Sequence, residues 1–435
     1  WATALMTSDS PATKTASQRR IVLAAIGSMG DLHPFMAIGL GLKARGHEAI
    51  VASGECYRTK IEAAGLGFRP IRPDCDRVGD AEFLRRFMHP QFGLLRIGRE
   101  WILPALRDTY EDTLAAAADA DLLVAHPLAA FSSRLVAEKT GLPWASAMLV
   151  PLGFFSAHDV PVMDIVPGSQ WLRLLGPAFW RPFLWSSKRA TRFVAEPWYR
   201  LRREIGLPPT DELNPLGDSH SPQLVLATFS NHFADKQPDW PAQTVVSGFP
   251  LYDAGGELPP DLNRFLDAGP PPIVFTLGTA VSSDAGEFFE HSVAAARRLG
   301  RRAVLTLQDP RNRPRDLPPD VFACDYAPFS LLFPRAAAVV HHAGIGTTGL
   351  ALRAGRPTLV VPCAWDQPDH AARLRRLGVA RVIPRRRYAP ARVAAELERL
   401  LGERSYADRA AELGERLREE DGTAAACDAL ERLLA

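Results

Sequence analysis

The chain has 435 residues, which is too long for one ordinary domain and long enough for two or three. Its 47% hydrophobic and 23% charged residues are typical of a globular protein, and its net charge of +2 argues against a dedicated nucleic-acid binder. Five cysteines without a Cys-x-x-Cys pair argue against a disulfide framework and a zinc site, and favour a reducing cytoplasm. No apolar run reaches the roughly 18 residues that would predict a membrane span.

The N-terminal part reads as a leader followed by a βαβ unit. Residues 1–18 are rich in Ser, Thr and Ala and are predicted to be disordered. The short apolar run 21–26 predicts a strand that is buried on both faces, as in a parallel sheet. A Gly-rich turn follows at 27–31, then a predicted helix over about 34–45 and a strand over 49–53. Such units build doubly wound sheets.

The same alternation continues along both halves of the chain. In the first half, strands are predicted over 122–125, 144–150 and 224–229, the last of them closing that half. A second series starts after the Gly- and Pro-rich segment 248–260. Its strands are predicted over 273–277, 303–307, 338–340 and 358–361, and helices dominate from 391.

These patterns predict an α/β protein with two doubly wound, Rossmann-like domains that face one another across a cleft. The predicted first domain covers 19–245, the linker 246–262, the second domain 263–420 and a final helical segment 421–435. Ligands of such sheets bind at the carboxyl ends of the strands, so the cleft is the expected site.

A Gly-rich loop follows the strand at 338–340 and leads into a helix. It reads His341-His342-Ala343-Gly344-Ile345-Gly346-Thr347-Thr348-Gly349. Glycines let a ligand approach the backbone, and a helix N terminus offers free N–H groups and the positive end of the dipole. The threonine hydroxyls and a histidine add donors. The loop predicts a diphosphate site without a metal, with a tight packing turn as the alternative.

A second polar pair lies about twenty residues further on, after the next strand. Asp366 and Gln367 place a carboxylate and an amide side by side, which suits neighbouring sugar hydroxyls. The alternative is that Asp366 caps the following helix.

Together these motifs resemble the donor-binding signature of the family 1 glycosyltransferases, which have the GT-B fold. The resemblance rests on His342-x-Gly-x-Gly-Thr-Thr, Ala354-Gly355-Arg356-Pro357, Pro362 and Asp366-Gln367. It extends over nearly the whole chain through the turn at 27–34, Asp239-Trp240-Pro241, Gly248-Phe249-Pro250 and the segment 275–279. Within the family the chain is most similar to bacterial rhamnosyltransferases of the rhamnolipid type and to bacterial enzymes that act on flavonoids.

The resemblance implies a set of donor-binding roles. His342 would contact the phosphates, and Asp366 and Gln367 would hold the sugar hydroxyls. Further phosphate contacts would come from Gly344, Gly346, Thr347, Thr348, Gly278 and Thr279. Tyr326 would stack on the pyrimidine and Ala327 would offer main-chain contacts, with a packed core tyrosine as the alternative.

One position departs from the family. Plant members have a ribose-binding Glu eight residues after the loop histidine, where this chain has Leu350. The resemblance therefore does not decide between thymidine and uridine donors. It favours dTDP-rhamnose, with UDP-glucose next.

The catalytic base is expected in the first turn. Inverting transfer needs a base that takes the acceptor proton. Many relatives have a histidine where this chain has Asp31, and several bacterial relatives have an aspartate. Asp31 is the predicted base, His33 is the competitor because its ordinary pKa suits neutral pH, and a simple helix cap is the alternative for Asp31.

The sequence indicates the acceptor-binding residues less clearly than the donor-binding residues. His126 follows a strand near the position where plant members have a supporting Asp, and it is predicted to contact the acceptor or Asp31, or to be structural. Phe154 and Trp365 are predicted to line the acceptor site. The aromatic and basic segments 83–101 and 171–198 have three interpretations: an apolar acceptor cleft, a peripheral membrane contact, or helices that cover the sheet.

The sequence therefore predicts an inverting, metal-independent hexosyltransferase that needs no cofactor beyond its nucleotide-sugar co-substrate. The acceptor is predicted to be a small lipophilic molecule such as a flavonoid, another polyphenol, a hydroxy-fatty acid or a similar natural product. No metal site is predicted, because no His, Cys or Asp cluster has ligand spacing. A non-catalytic helper subunit and a sugar-nucleotide epimerase of the same fold remain as alternatives. As in relatives, the last helix is expected to cross back onto the first domain.

Overall fold

The computed structural model describes residues 18–74, 81–89, 92–163, 169–212, 215, 219–252 and 255–435. These residues form thirteen strands: β1 (Arg20–Ala24), β2 (Glu48–Ser53), β3 (Gly67–Pro70), β4 (Leu122–Ala125), β5 (Trp144–Met148), β6 (Leu224–Ala227), β7 (Thr244–Val246), β8 (Ile273–Thr276), β9 (Ala303–Thr306), β10 (Val321–Cys324), β11 (Ala338–His341), β12 (Thr358–Val360) and β13 (Ala380–Val382).

The strands are connected and covered by α-helices. The described residues contain α1 (Met29–Ala44), α2 (Arg58–Ala63), α3 (Ala81–Phe87), α4 (Gly93–Arg96), α5 (Leu106–Ala116), α6 (Pro127–Thr140), α7 (Ser169–Leu172), α8 (Gly176–Ala190), α9 (Glu196–Glu204), α10 (Pro260–Asp267), α11 (Gly278–Val281), α12 (Phe288–Leu299), α13 (Phe329–Leu332), α14 (Ile345–Arg353), α15 (Gln367–Leu377), α16 (Pro390–Gly402), α17 (Arg404–Glu419) and α18 (Gly422–Leu434).

The strands form two parallel sheets, one in each half of the chain. The first has the order β3-β2-β1-β4-β5-β6-β7 and the second the order β10-β9-β8-β11-β12-β13. In the first sheet, Ile21 pairs with Ala49 on one side and Leu122 on the other. All three side chains are almost fully buried, because helices cover both faces of the sheet. The predicted α/β class with two doubly wound, Rossmann-like domains is confirmed.

The sheet edges differ from the prediction. The sequence predicted none of β3, β7, β10 and β13, and these are the four edge strands of the two sheets. Each has at least two residues that are half-buried or exposed, so it lacks the continuous apolar run that marks the central strands. The prediction that the strand near 224–229 closes the first half is wrong, because β7 pairs beside β6.

The two halves are joined by shared packing. One apolar cluster contains Met148 and Phe229 of the first half together with Val360 and Leu374 of the second. The final helix α18 packs against α1 of the first half, where Cys427 is fully buried. The fold therefore holds the carboxyl edges of both sheets close together.

One cysteine expectation is wrong. Cys56 is disulfide-bonded, whereas Cys324, Cys363 and Cys427 are free. An odd number of cysteines is compatible with a disulfide, so the cysteine count does not argue against one. The cysteine pattern therefore no longer supports the prediction of a reducing environment.

Within the described ranges, no helix combines the length and the apolar character that crossing a bilayer requires.

Candidate active site

The turn after β1 holds Asp31 in a fixed orientation. Helix α1 begins at Met29, earlier than predicted, with Ser28 as its N-cap, so Asp31 lies in the first helical turn. Its Oδ2 accepts hydrogen bonds from the Ser28 N–H at 2.7 Å and the Ser28 hydroxyl at 2.9 Å. This reciprocal arrangement is a capping box. A Cβ at Gly27, whose φ is +138°, would lie 2.3 Å from this oxygen, so only glycine fits beside the carboxylate.

The other oxygen of Asp31 meets a histidine. His126 Nε2 lies 3.2 Å from Asp31 Oδ1. His126 also caps helix α6, and its Nδ1 accepts the Leu128 N–H at 3.3 Å. A ring nitrogen that accepts carries no hydrogen, so the ring hydrogen is on Nε2 and is donated to Asp31.

These contacts set the protonation state of Asp31. Burial raises the pKa of the carboxyl, whereas the hydrogen bonds from His126 and Ser28 lower it, and the net pKa lies below its ordinary value. The side chain is still 33% exposed. Asp31 is therefore an accessible carboxylate at neutral pH.

The competitor His33 has a different environment. Its ring stacks on Tyr252 with centroids 5.0 Å apart. Burial and the nearby Lys60 charge lower the pKa of His33 to about 4. Among the described residues its Nε2 is buried without a hydrogen-bond partner. This surrounding suits a packed neutral ring better than a base that works at neutral pH.

The Gly-rich loop after β11 presents a helix N terminus. Gly344 is the N-cap of α14 and makes no side-chain cap, so the first N–H groups of the helix stay available. A Cβ at Gly346 would meet nothing within 4 Å, which shows open space over this backbone. Thr347 is half-buried. Thr348 is 1% exposed and faces the interior, where its hydroxyl has no partner among the described residues.

His342 lies between two glycines of different loops. A Cβ at Gly278 would come within 2.5 Å of the ring, and a Cβ at Gly344 within 2.3 Å. Burial, with smaller contributions from the His370 and Arg385 charges, lowers the pKa of His342 to about 3. The ring is therefore neutral at neutral pH and can donate one hydrogen bond without carrying a charge. Thr279, beside Gly278, is exposed.

Two further histidines, which the sequence did not single out for a role, shape this loop. Ala343 has a φ of +73°, in the left-handed region. Its N–H is donated to His341 Nδ1 at 3.2 Å, and its carbonyl lies 2.8 Å from His370 Nδ1. Both contacts hold a backbone conformation that non-glycine residues rarely adopt. In the sequence, the position of His341 next to His342 was the one indication that either histidine contributes to this loop.

Asp366 and Gln367, the polar pair at the start of α15, differ in exposure and in hydrogen-bond partners. Asp366 Oδ2 lies 3.3 Å from His370 Nδ1, and the side chain is 22% exposed. Burial is the main cause that raises the pKa of Asp366, and the Asp31 carboxylate adds to it. Gln367 is 2% exposed, and its amide oxygen accepts the Cys363 and Ala364 N–H groups. Gln367 thus has its amide nitrogen left for a ligand.

The structure brings the main predicted groups together. Helix α1, which carries Asp31, packs against α11 and α14 of the second domain. The Asp31 charge raises the pKa of Asp366, so the two carboxylates are close enough to interact electrostatically. Tyr326 is 54% exposed, as a stacking surface would be, and Ala327 is buried.

The predicted acceptor residues are placed less favourably. Phe154 is stacked between Trp240, at 3.9 Å, and His220, at 5.4 Å, and is 8% exposed. The structure places it in the core, so we do not retain it as an acceptor contact. Trp365 donates its indole N–H to the Phe87 carbonyl at 2.7 Å and so links the domains. His126 contacts Asp31, one of its predicted alternatives.

The aromatic segment at 171–198 has two kinds of side chain. Trp180 and Trp198 are buried, the former in a small cluster with Ala157 and Val160. Several others are strongly exposed: Trp171, Leu174, Leu175, Phe179, Phe183, Trp185 and Phe193. Covering the sheet therefore accounts for only part of this segment. In the described part of the chain, no group of three or more His, Cys, Asp or Glu side chains is arranged for a metal.

Comparison with known families gives two matches. Residues 21–151 match the N-terminal domain of glycosyltransferase family 28. Residues 291–428 match the C-terminal domain of proteins similar to the erythromycin biosynthesis protein CIII.

Curated relatives match over most of the chain. The O-mycaminosyltylonolide 6-deoxyallosyltransferase of Streptomyces fradiae is 35% identical over 430 residues, covering 95% of this chain and 97% of that protein. Glycosyltransferase GtfE of Amycolatopsis orientalis is 30% identical over 378 residues, covering 83% of this chain and 85% of that protein.

Solved structures share the fold. The spinosyn forosaminyltransferase SpnP superposes with a TM-score of 0.72 at 18% identity, over 96% of this chain and all of that one. The spinosyn rhamnosyltransferase SpnG, complexed with thymidine diphosphate, gives a TM-score of 0.67 at 20% identity, over 95% of this chain and 100% of that one.

Proposed function

Since the chain belongs to the glycosyltransferases of the GT-B type, we propose that it transfers a deoxyhexose from a dTDP-sugar to a hydroxyl of a lipophilic natural product, with inversion. The observation that carries the mechanism is the Asp31–His126 pair, since α1, which carries Asp31, packs against α11 and α14 of the second domain. Its accessible carboxylate supplies a base on one side, and the loop supplies a diphosphate site on the other.

The donor binds on the second domain. The free N–H groups at the start of α14 hold the diphosphate, and the open space over Gly346 lets the phosphates approach the backbone. The neutral His342 ring donates a further hydrogen bond. These donors stabilise the charge that develops on the leaving diphosphate, so the proposal requires no metal. Asp366 accepts hydrogen bonds from sugar hydroxyls, and Gln367 offers its amide nitrogen.

The chemical step is a single displacement. The acceptor oxygen attacks the anomeric carbon from the face opposite the diphosphate, and the bond between that carbon and the phosphate oxygen breaks. As the new bond forms, the acceptor hydroxyl becomes acidic and its proton passes to Asp31. His126 touches Asp31 rather than the reacting atoms in this scheme, so it is a positioning residue.

The preference for thymidine rests on Leu350. A leucine offers no acceptor for a ribose 2′-hydroxyl, which thymidine donors lack. The thymidine diphosphate in the solved spinosyn rhamnosyltransferase supports the same choice. UDP-glucose remains the second donor.

The sugar and acceptor classes are taken from relatives. The relatives include a 6-deoxyallosyltransferase that acts on O-mycaminosyltylonolide and a spinosyn rhamnosyltransferase. We therefore place a macrolide-like acceptor first and keep flavonoids and hydroxy-fatty acids as further classes. Among deoxyhexoses, rhamnose stays the favoured sugar. These relatives do not single out the rhamnolipid or flavonoid type.

A transfer assay read by mass spectrometry tests the proposal. Purified protein is incubated, with chelator present, with dTDP-rhamnose or UDP-glucose and a panel of macrolide aglycones, flavonols and hydroxy-fatty acids. A deoxyhexose adduct from dTDP-rhamnose is expected. A hexose adduct from UDP-glucose alone would contradict the donor preference. A requirement for added metal would contradict the proposed stabilisation of the diphosphate.

A further inference from the structure

A buried group of charges joins the donor helix α15 to the first domain. Asp369 and Arg373 lie on α15 and are 0% and 3% exposed. Asp159 lies on the loop that follows β5 and is 13% exposed. Asp366 and Gln367 stand at the start of the same helix, so Asp369 follows Asp366 by three residues, about one helical turn.

The Asp369 carboxylate and the Arg373 guanidinium both have partners at the centre of this network. One oxygen of Asp369 accepts the Val162 N–H at 3.0 Å, and the other accepts Arg373 Nε–H at 2.7 Å. The Arg373 guanidinium also donates to Asp159. Arg173 and Arg376 approach Asp159 at 3.4 and 3.6 Å from its outer side. Two separate contacts therefore cross between the domains, one to a side chain and one to the backbone.

The loop on the first domain is itself fixed. Asp239 accepts the Ser156 hydroxyl at 2.6 Å and the Ala157 N–H at 2.7 Å. The Ser156 oxygen in turn accepts the N–H groups of His158, at 3.0 Å, and Asp159, at 3.2 Å. The network thus connects α15 to a loop whose own position is determined by the first domain.

Charges buried at this depth are stable only when their partners are correctly placed, so the network tolerates little displacement. An apolar contact between α15 and this loop would allow sliding at low cost. We infer that Asp159, Asp369 and Arg373 are positioning residues that hold α15, and with it Asp366, at a fixed distance from Asp31. This inference rests on the proposed roles of Asp31 and Asp366.

The consequence is a specific kinetic signature. If the network loosens, the nucleotide still binds, because its proposed contacts belong to the second domain alone. The sugar, however, is no longer aligned with the acceptor and the base, and a displacement of about 1 Å can cost about 100-fold in rate. Water then competes better for the anomeric carbon, so hydrolysis of the donor increases relative to transfer.

The test uses Asp159→Asn, which removes a charge at nearly constant size. The expected result is a fall of about tenfold or more in kcat for transfer, a higher ratio of free sugar to glycoside, and affinity for thymidine diphosphate that changes by less than about twofold. Arg373→Lys is the second variant, because lysine keeps the charge but cannot donate to both carboxylates as the guanidinium does. If Asp159→Asn does not fold, Arg373→Lys still tests the inference.

Ser230→Ala is the matched control. Ser230 donates to Glu420 at 2.7 Å and so links the first domain to the segment between α17 and α18, without touching α15. We expect it to lower the melting temperature and leave the product ratio unchanged.

Two results would overturn the inference. One is a wild-type product ratio in folded Asp159→Asn and Arg373→Lys. The other is an equal change of the ratio in Ser230→Ala. Retained transfer in Asp31→Asn would instead refute the proposed base and leave this product-ratio test intact.

Discussion

The His126 ring donates to Asp31 through Nε2, 3.2 Å away, while its Nδ1 accepts the Leu128 N–H. Both ring nitrogens therefore have a partner, and the ring hydrogen has one position. In the proposed mechanism the carboxylate is the base, and the histidine orients it and lowers its pKa.

The variant His126→Asn separates the two contacts of this histidine. Asparagine is a good N-cap, so α6 keeps its start, while the hydrogen bond to Asp31 is lost. Without that bond the pKa of Asp31 rises, and the acid limb of kcat/KM moves to higher pH. We expect kcat to fall by about tenfold to 100-fold, measured in pH-dependent transfer assays. His126→Ala should cost about 1 kcal/mol more stability; equal stability of both variants would contradict the capping role.

A single methyl group tests the phosphate loop. In Gly346→Ala the new Cβ points into open space in the free protein, so the helix should be as stable or slightly more stable. The same methyl occupies the space proposed for the diphosphate. Calorimetry should show thymidine diphosphate binding weakened by about 1.4 kcal/mol or more, a factor of about ten. Gly402→Ala, which also faces open space, is the control. Unchanged binding in Gly346→Ala would place the phosphates elsewhere.

Leu350→Glu should shift the nucleotide preference. The added carboxylate can accept a hydrogen bond from a ribose 2′-hydroxyl, and a bond to a charged group contributes about 1.5–3 kcal/mol. The ratio of kcat/KM for the UDP-sugar to that for the dTDP-sugar is expected to rise about tenfold or more. Leu350→Met, which conserves volume, should leave the ratio as it is. A ratio unaffected by the glutamate would mean that this residue does not face the ribose.

Asp366 predicts a pH dependence of donor binding. Its pKa lies above the ordinary 3.8, because burial and the Asp31 charge disfavour the carboxylate. As the pH falls through this raised value, the side chain is protonated and accepts sugar hydroxyls less well. Titrations should show weaker binding of the dTDP-sugar at acid pH. The loss of dTDP-sugar affinity at acid pH should be absent in Asp366→Asn. If this loss persists in the variant, another group causes it.

Much of this site could be predicted from the sequence, because its residues follow buried strands. The apolar runs of β1, β11 and β12 are clear, and each ends in a polar or Gly-rich segment. Parallel strands bring their carboxyl ends to one edge, so Asp31, His342 and Asp366 could be expected near one cleft.

The parts that were missed depend on contacts between distant segments. The pairing of Asp159 with Arg373 spans 214 residues and is fixed by how the two domains meet. The aromatic pattern around Phe154 does not distinguish stacking on Trp240 from contact with an acceptor. Nor does the sequence show that the Gln367 oxygen is used by its own loop.

Asp31→Asn is the most direct test of the account. Asparagine keeps the size and one oxygen, so the fold and the affinity for thymidine diphosphate should stay within about twofold of the wild type. We predict that the rate of glycoside formation from the dTDP-sugar falls by about 100-fold to 10,000-fold, because the base is lost. A folded Asp31→Asn variant that forms glycoside within about threefold of the wild-type rate would contradict the central claim.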